Sequence, residues 1–321
     1  MMRGLHITHN DADAVGAVIA ANFIPNVEWT NSYNNATEAS NAVETLFFEA
    51  DTSYDILLIT DISITDEVAE KLENYRITHP EFKLYLIDHH ITNKLSEKYP
   101  WAHVTVDIDG ILVSAAFNVL KFLEKEIKQN AADTGIVYGV LEEVITSISR
   151  YDTWEWKKHP SDAHNEDEFM IITKYFELED VAAQVIQNIK CSDIGYEWDL
   201  FSDILIQIYR SKCNKTIDNT LKNTVITQLN LAGNEYKCGI IIADNTYGNA
   251  QLAHINEQTD VNLSIGIYPN TKTLSLRSLD NTDVGKIATY YGGGGHVHAA
   301  GMKPSTEFFL QIMKTYYDNI Y

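Results

Sequence analysis

Two apolar runs that stop on acids restrict the fold of this chain more than any other feature. Asp55-Ile56-Leu57-Leu58-Ile59-Thr60-Asp61 and Lys83-Leu84-Tyr85-Leu86-Ile87-Asp88 have the length and β-branched content of strands buried on both faces. Strands of that kind belong to parallel sheets covered by helices, and the flanking sequence alternates accordingly. A strand is expected over residues 5–8, a helix from Ala14, the strand ending at Asp61, a helix from about Thr65, and the strand ending at Asp88. A further strand over 102–107 leads through Gly110 into an apolar helix over 113–126. Another helix over 134–149 ends at Arg150-Tyr151-Asp152-Thr153-Trp154. Right-handed crossovers place the carboxyl ends of such strands along one edge, where ligands bind.

From about 169 to 229 the pattern turns helical, with apolar residues such as Leu200, Ile204 and Ile208 at spacings of four, and its later part reads as a connector. Strand signals resume after Gly233, over 237–243, 261–268 and 273–279. A helix over 248–258 lies between the first two, and a Pro269-Asn270 turn separates the last two. The expected fold class is α/β: a parallel-sheet domain over 1–185, a helical linker over 186–235 and a smaller α/β domain over 236–321, with the active site in the cleft.

The 321 residues carry 24 Lys and Arg against 45 Asp and Glu, a net charge of -21 that repels polyanions and argues against a protein coating duplex nucleic acid. A small anionic substrate held through a metal stays open. Cys191, Cys213 and Cys238 lack metal or disulfide spacing, so they read as ordinary thiols of a reducing compartment. No apolar run approaches the roughly 20 residues that span a bilayer. The expectation is a cytoplasmic protein without a membrane partner.

Acids and histidines gather at element ends: His9-Asn10-Asp11-Ala12-Asp13, Asp61, Asp88-His89-His90 and Asp152. In an extended turn His9, Asp11 and Asp13 alternate, so their side chains can face one cavity. Mixed carboxylate and imidazole donors suit hard to borderline divalent ions, Mn²⁺ best and Mg²⁺ next. Each piece has a plainer explanation. Asp13 can cap the first helix, Asp61 the helix after Ser63, Asp152 can pair with Arg150, and a His pair can be satisfied by hydrogen bonds. Four independent clusters along one sheet edge favour a site.

In order, "THNDADAVGA", "LLITDIS", "LIDHH", "RYDTW" and "GGGGHVHAAG" resemble the DHH phosphoesterase superfamily, in the branch with a C-terminal DHH-associated domain. That branch holds nanoRNases, phosphatases of adenosine 3',5'-bisphosphate (pAp) and phosphodiesterases of cyclic-di-AMP or pApA. The resemblance implies that His9 and Asp11 bind one Mn²⁺, that Asp13, His89 and Asp152 bind a second, and that Asp61 bridges them. His90 would contact substrate or polarise the leaving oxygen, and Asp88 would orient its neighbours. Many members separate the first His from the first Asp by three residues, whereas here only Asn10 intervenes, so His6 is the alternative ligand.

Gly292, Gly293, Gly294 and Gly295 lack Cβ atoms, which lets backbone N–H groups cradle a phosphate, with His296 as a further donor. Arg277 can clamp a phosphate through its planar fork, and His298 receives no role. The implied activity is a manganese-dependent phosphoesterase acting on short oligoribonucleotides, and on pAp, through two-metal activation of water. The alternatives are a cyclic-di-AMP or pApA phosphodiesterase, a family-II pyrophosphatase-like hydrolase and an inactive nucleotide sensor. A homodimer is compatible with the resemblance.

Overall fold

The computed structural model describes residues 1–50, 53–158, 166–192, 195–279 and 282–320. They fall into two compact units, Met1–Asp203 and Ile204–Tyr321.

The first unit is built on a sheet of β1 (Met2–Thr8), β2 (Val27–Tyr33), β3 (Ile56–Thr60), β4 (Lys83–Asp88) and β5 (Ala102–Val104), all parallel, in the order β2-β1-β3-β4-β5. Its helices are α1 (Ala12–Ala21), α2 (Ala39–Val43), α3 (Asp66–Thr78), α4 (Ala115–Phe122), α5 (Glu124–Thr134), α6 (Tyr138–Asp152), α7 (Glu155–Lys158), α8 (Asp167–Ile172) and α9 (Leu178–Cys191). Every residue of β3 is buried, as a central strand covered on both faces requires. Leu5, Ile7, Leu57 and Ile59 point to one face and pack with α2 and α3 through Val43, Val68 and Leu72. Alternate residues point to the other, where α1, α4 and α6 pack together. A short ribbon, β6 (Asp107–Ile108) with β7 (Ile111–Leu112), turns on Asp109 and Gly110, both at positive φ.

Three features differ from the sequence expectations here. The edge strand β2, which carries Asn31, Ser32 and other polar residues, has no counterpart among those expectations, yet it is tied along β1. The helix expected over 113–126 breaks at Leu123, whose φ of -105° and ψ of 16° divide α4 from α5. Thr65, not Asp61, caps α3, its hydroxyl accepting from the Val68 N–H.

The second unit contains α10 (Leu200–Ile217, which begins in the first), β8 (Val225–Leu231), β9 (Asn234–Ile242), α11 (Gly248–Gln258), β10 (Leu263–Tyr268), β11 (Thr273–Arg277), α12 (Val284–Tyr290), β12 (Gly294–Gly295), β13 (Ala299–Met302) and α13 (Thr306–Ile320). Its sheet runs β12-β13-β11-β10-β9-β8, with β9 and β10 parallel and the other neighbours antiparallel. A core of Ile240, Ile265, Leu276, Ile287 and Ile312 joins sheet to helices. The 186–235 stretch expected as a helical linker divides between the units, and its last part is a strand. Buried Val225 and Leu231 bracket alternating exposure, and Ala232 and Gly233, at φ 51° and 84°, make the tight turn into β9.

Candidate active site

The strand order reverses direction between β1 and β3, and in open parallel sheets ligands bind beyond the strand ends at that switch point. His9 and Asp11 follow β1, Asp61 follows β3, and Asp88 closes β4. The topology brings these chain segments to one edge before any side chain is considered.

Asp11 is the N-cap of α1, taking the role expected for Asp13: Oδ1 accepts from the Ala14 N–H at 3.1 Å while Oδ2 meets His9 Nδ1 at 2.7 Å. Asp13 lies inside α1, and its carboxylate accepts from the Ala115 and Ala116 N–H groups at 2.9 and 3.1 Å. The first turn of α4 thus holds Asp13 with unpaired amides and the positive end of its dipole. Asp61 adopts φ 57°, a left-handed backbone uncommon outside glycine, and keeps a backbone hydrogen bond to Ile87 O.

His89 Nδ1 faces Val113 O at 3.0 Å; a carbonyl only accepts, so Nδ1 carries the proton. Its Nε2 looks into carboxylates: Asp61 Oδ1 at 3.2 Å, Asp152 Oδ2 at 3.6 Å and Asp13 Oδ2 at 3.8 Å. A neutral ring there would set a lone pair against anions, so the geometry calls for a proton or cation between them. Asp88 organises the motif, accepting from the His89 N–H at 2.7 Å, from His90 Nδ1 at 2.8 Å and from Asn93 Nδ2 at 2.8 Å. Burial pushes the Asp88 carboxyl up, but these partners more than offset it and hold it well below the usual range.

The remaining acids are strained electrostatically. Burial, then the charges of Asp11 and Asp13, push Asp61 well above the usual carboxylate range. Burial, opposed by His89 and reinforced by Asp13 and Asp11, pushes Asp152 up to about 7. Asp152 also ends α6, where the helix dipole repels an anion. Burial opposes the charged form of His90, yet its hydrogen bond to Asp88 raises it to about 9. The expected Asp152–Arg150 pairing yields to another one, with Arg150 Nε lying 3.3 Å from Glu166 Oε1.

Ligand atoms of His9, Asp11 and Asp61 lie within 4.8 Å of one another, as do those of Asp13, His89 and Asp152, and those of Asp61, Asp88, His89 and His90. Asp61 reaches both triads, with Oδ1 toward His89 and Oδ2 3.7 Å from His9 Nδ1. Asp61 Oδ2 is buried without a hydrogen-bond partner, a costly state for a carboxylate unless a cation attends it. The donor set therefore fits two divalent ions. His6, the alternative ligand, sits instead in the sheet interior with Nε2 2.7 Å from Thr60 Oγ1, and burial lowers its pKa to about 3.

In the second unit Arg277 sits on β11, as expected, but its guanidinium donates to Leu276 O at 2.8 Å and to Asn249 Oδ1 at 2.8 Å, which anchors it. Gly293 and Gly295 are required by packing: a Cβ would stand 2.2 Å from Gly301 O at the first and 2.5 Å from Ala299 O at the second. Gly292 and Gly294 face open space. The His296 N–H donates to Ala299 O at 2.7 Å, and His298 Nδ1 meets Ser278 Oγ at 3.2 Å, which gives His298 a structural partner.

Sequence reasoning missed the supports. Asn93 fixes Asp88, and Asn118 Nδ2 donates to Asp88 O at 3.2 Å and Thr105 O at 2.8 Å. An Asn five residues after Asp88 was the available signal for the first, and nothing local announces the second.

No family model matches the chain. It is 28% identical to the oligoribonuclease NrnB of Bacillus subtilis over 313 residues, 94% of this chain and 73% of that protein. It is 21% identical to a 3',5'-cyclic-nucleotide phosphodiesterase of Helicobacter pylori, over 94% of this chain and 93% of that one. Among solved structures, the pGpG-specific phosphodiesterase PggH of Vibrio cholerae superposes with a TM-score of 0.56 at 12% identity, covering 98% of each chain, and shares the fold. These similarities are consistent with the resemblance to the DHH phosphoesterase superfamily. The similarity to the first relative spans 94% of this chain, and it includes the Asp88-His89-His90 turn after β4 that carries the resemblance.

Proposed function

We propose that the protein is a metal-dependent phosphoesterase that hydrolyses phosphodiester or phosphomonoester bonds of short nucleotides, the phosphodiesters of short oligoribonucleotides first and a phosphomonoester of pAp next. The observation that carries this reading is the pair of triads at the switch point of the parallel sheet, His9-Asp11-Asp61 and Asp13-His89-Asp152, with Asp61 Oδ1 of the first 3.2 Å from His89 Nε2 of the second. Relatives named for oligoribonuclease and cyclic-nucleotide phosphodiesterase activities support the substrate scale. The net charge of -21 supports it as well, since affinity for a short anion would come from a local site rather than a basic track. Free thiols at Cys191, Cys213 and Cys238 support a cytoplasmic setting.

His9, Asp11 and Asp61 would hold one Mn²⁺, and Asp13, His89 and Asp152 would share Asp61 around the other; Mg²⁺ is the second choice. Bound ions supply Lewis-acid polarisation of phosphoryl oxygens and make water nucleophilic at neutral pH. The protein's own residues do the positioning. Asp88 bonds His90 Nδ1, which favours the protonated ring and leaves Nε2 as the atom suited to meet a phosphoryl or leaving oxygen. The Val113 carbonyl fixes the His89 ring, and the α4 amides fix Asp13. In the second unit we assign phosphate contacts to Arg277, to the backbone at Gly292–Gly295 and to His296.

Purified protein with Mn²⁺, given a labelled RNA dinucleotide, a longer RNA, pAp and cyclic-di-AMP together, tests the reading by product analysis. Mononucleotides should appear first from the dinucleotide, with the longer RNA lagging. Absence of hydrolysis of all four would overturn it.

A further inference from the structure

The first unit contains a cavity whose lining differs in chemistry from the strand-end cluster. A cavity of about 840 Å³ lies among α6, α8 and the segment before α10, within the size range of small-molecule pockets. Of the α6 residues lining it, Gly139, Glu142, Glu143, Thr146, Ser147 and Arg150 recur at three- and four-residue steps on one helix face, and buried Val144 lies beside them. Asp152 projects from the opposite face, so this cavity is separate from the phosphoesterase centre.

Six of the lining groups are carboxylates, those of Glu142, Glu143, Glu166, Glu168, Glu197 and Asp203, against the single lining cation Arg150. Glu166 decides the reading. Its side chain is 3% exposed, Oε1 meets Arg150 Nε at 3.3 Å, and Oε2 is buried with no hydrogen-bond partner. Leaving such an oxygen unpaired is costly, and a donor entering the cavity would relieve it.

Three aromatic rings stand alongside: Phe169 and Trp198 have centroids 5.0 Å apart, and Tyr196 and Trp198 5.1 Å. Acids with aromatic faces recognise ammonium groups. Among the described residues, none of the groups of three or more carboxylates and imidazoles that gather within 4.8 Å contains an acid of this cavity. Dispersed acids suit a cation with several separated charges better than one metal ion.

We propose that this cavity binds a linear aliphatic polyamine, with one ammonium paired to Glu166 and the remaining charges spread over Glu143 and Glu168. Calorimetric titration of the full chain with spermidine at low salt tests it. Saturable binding is expected, weakened about tenfold or more by Glu166→Gln, as for loss of a charge-assisted hydrogen bond. A Glu143→Gln/Glu168→Gln double variant removes half-exposed or exposed charge without touching the core and should weaken binding as well. Glu70→Gln/Glu126→Gln removes the same charge from exposed positions elsewhere and should change nothing. No saturable heat, equal weakening by the remote pair, or displacement of spermidine by an equal concentration of Mg²⁺ would each overturn the proposal.

Discussion

The strand-end cluster of the first unit and the glycine hairpin of the second both looked functional in sequence, but their physics differs. At the hairpin the folding requirements account for part of the motif: Gly293 and Gly295 admit the backbone of β13, and the His296 N–H is paired with Ala299 O, while Gly292 and Gly294 face open space. At the strand ends nearly every local rule is broken. Asp61 is left-handed with an orphaned oxygen, Asp152 sits at the wrong end of a helix dipole, and His89 aims Nε2 at three carboxylates. Unrelieved local conflict marks a site more reliably than an unusual composition does.

The largest effect should come from Asp61→Asn, which keeps the left-handed backbone and shape but removes the shared charge. Turnover of a labelled RNA dinucleotide should fall by about a thousandfold or more, since several kcal/mol of metal stabilisation are at stake. The metal-free variant should melt at or above the wild-type temperature, because a buried, poorly paired charge is gone. Retained wild-type turnover would sink the site assignment.

Gly293→Ala should break the hairpin instead, costing about 1–3 kcal/mol by overpacking against Gly301 O, visible as a lowered urea midpoint. A variant as stable as wild type would mean the close approach of β12 and β13 is not real.

The pH dependence of the metal-free protein separates the regions further. The Asp152 carboxyl is raised from 3.8 to about 7, so the folded state binds more protons over that interval and stability should fall as pH rises through it. His90, raised from 6.5 to about 9, extends the loss in the same direction to higher pH. Asp152→Asn should flatten the lower part of that slope in thermal melts between about pH 4 and 7. An unchanged slope would place the strain elsewhere.

The smallest stability effect belongs to Gly294→Ala, within about ±0.5 kcal/mol because its Cβ would enter open space. A raised KM for the dinucleotide with an unchanged melting temperature would show that substrate approaches the backbone there. Unchanged kinetics would confine the hairpin to a structural role.

What the sequence made legible follows from the same contrast. The apolar runs that became β3 and most of β4 could be read directly, because burial on both faces leaves a nearly continuous hydrophobic signature. The half-exposed strands β2 and β8 were not, although Val225–Leu231 alternates, since polar positions there resemble a loop or a helix surface. At the site, residue identities and their order were visible. Long-range support was not: the amides that hold Asp13 lie about a hundred residues away on α4, and the pairing of Arg150 with Glu166 depends on how α6 packs.

The central claim is that two triads share Asp61 around a pair of ions. The direct measurement is the number of Mn²⁺ bound per chain by equilibrium dialysis, in wild type and in Asp61→Asn. Two ions in wild type, and one or none in the variant, is the predicted result. None in wild type, or two in both, would contradict it.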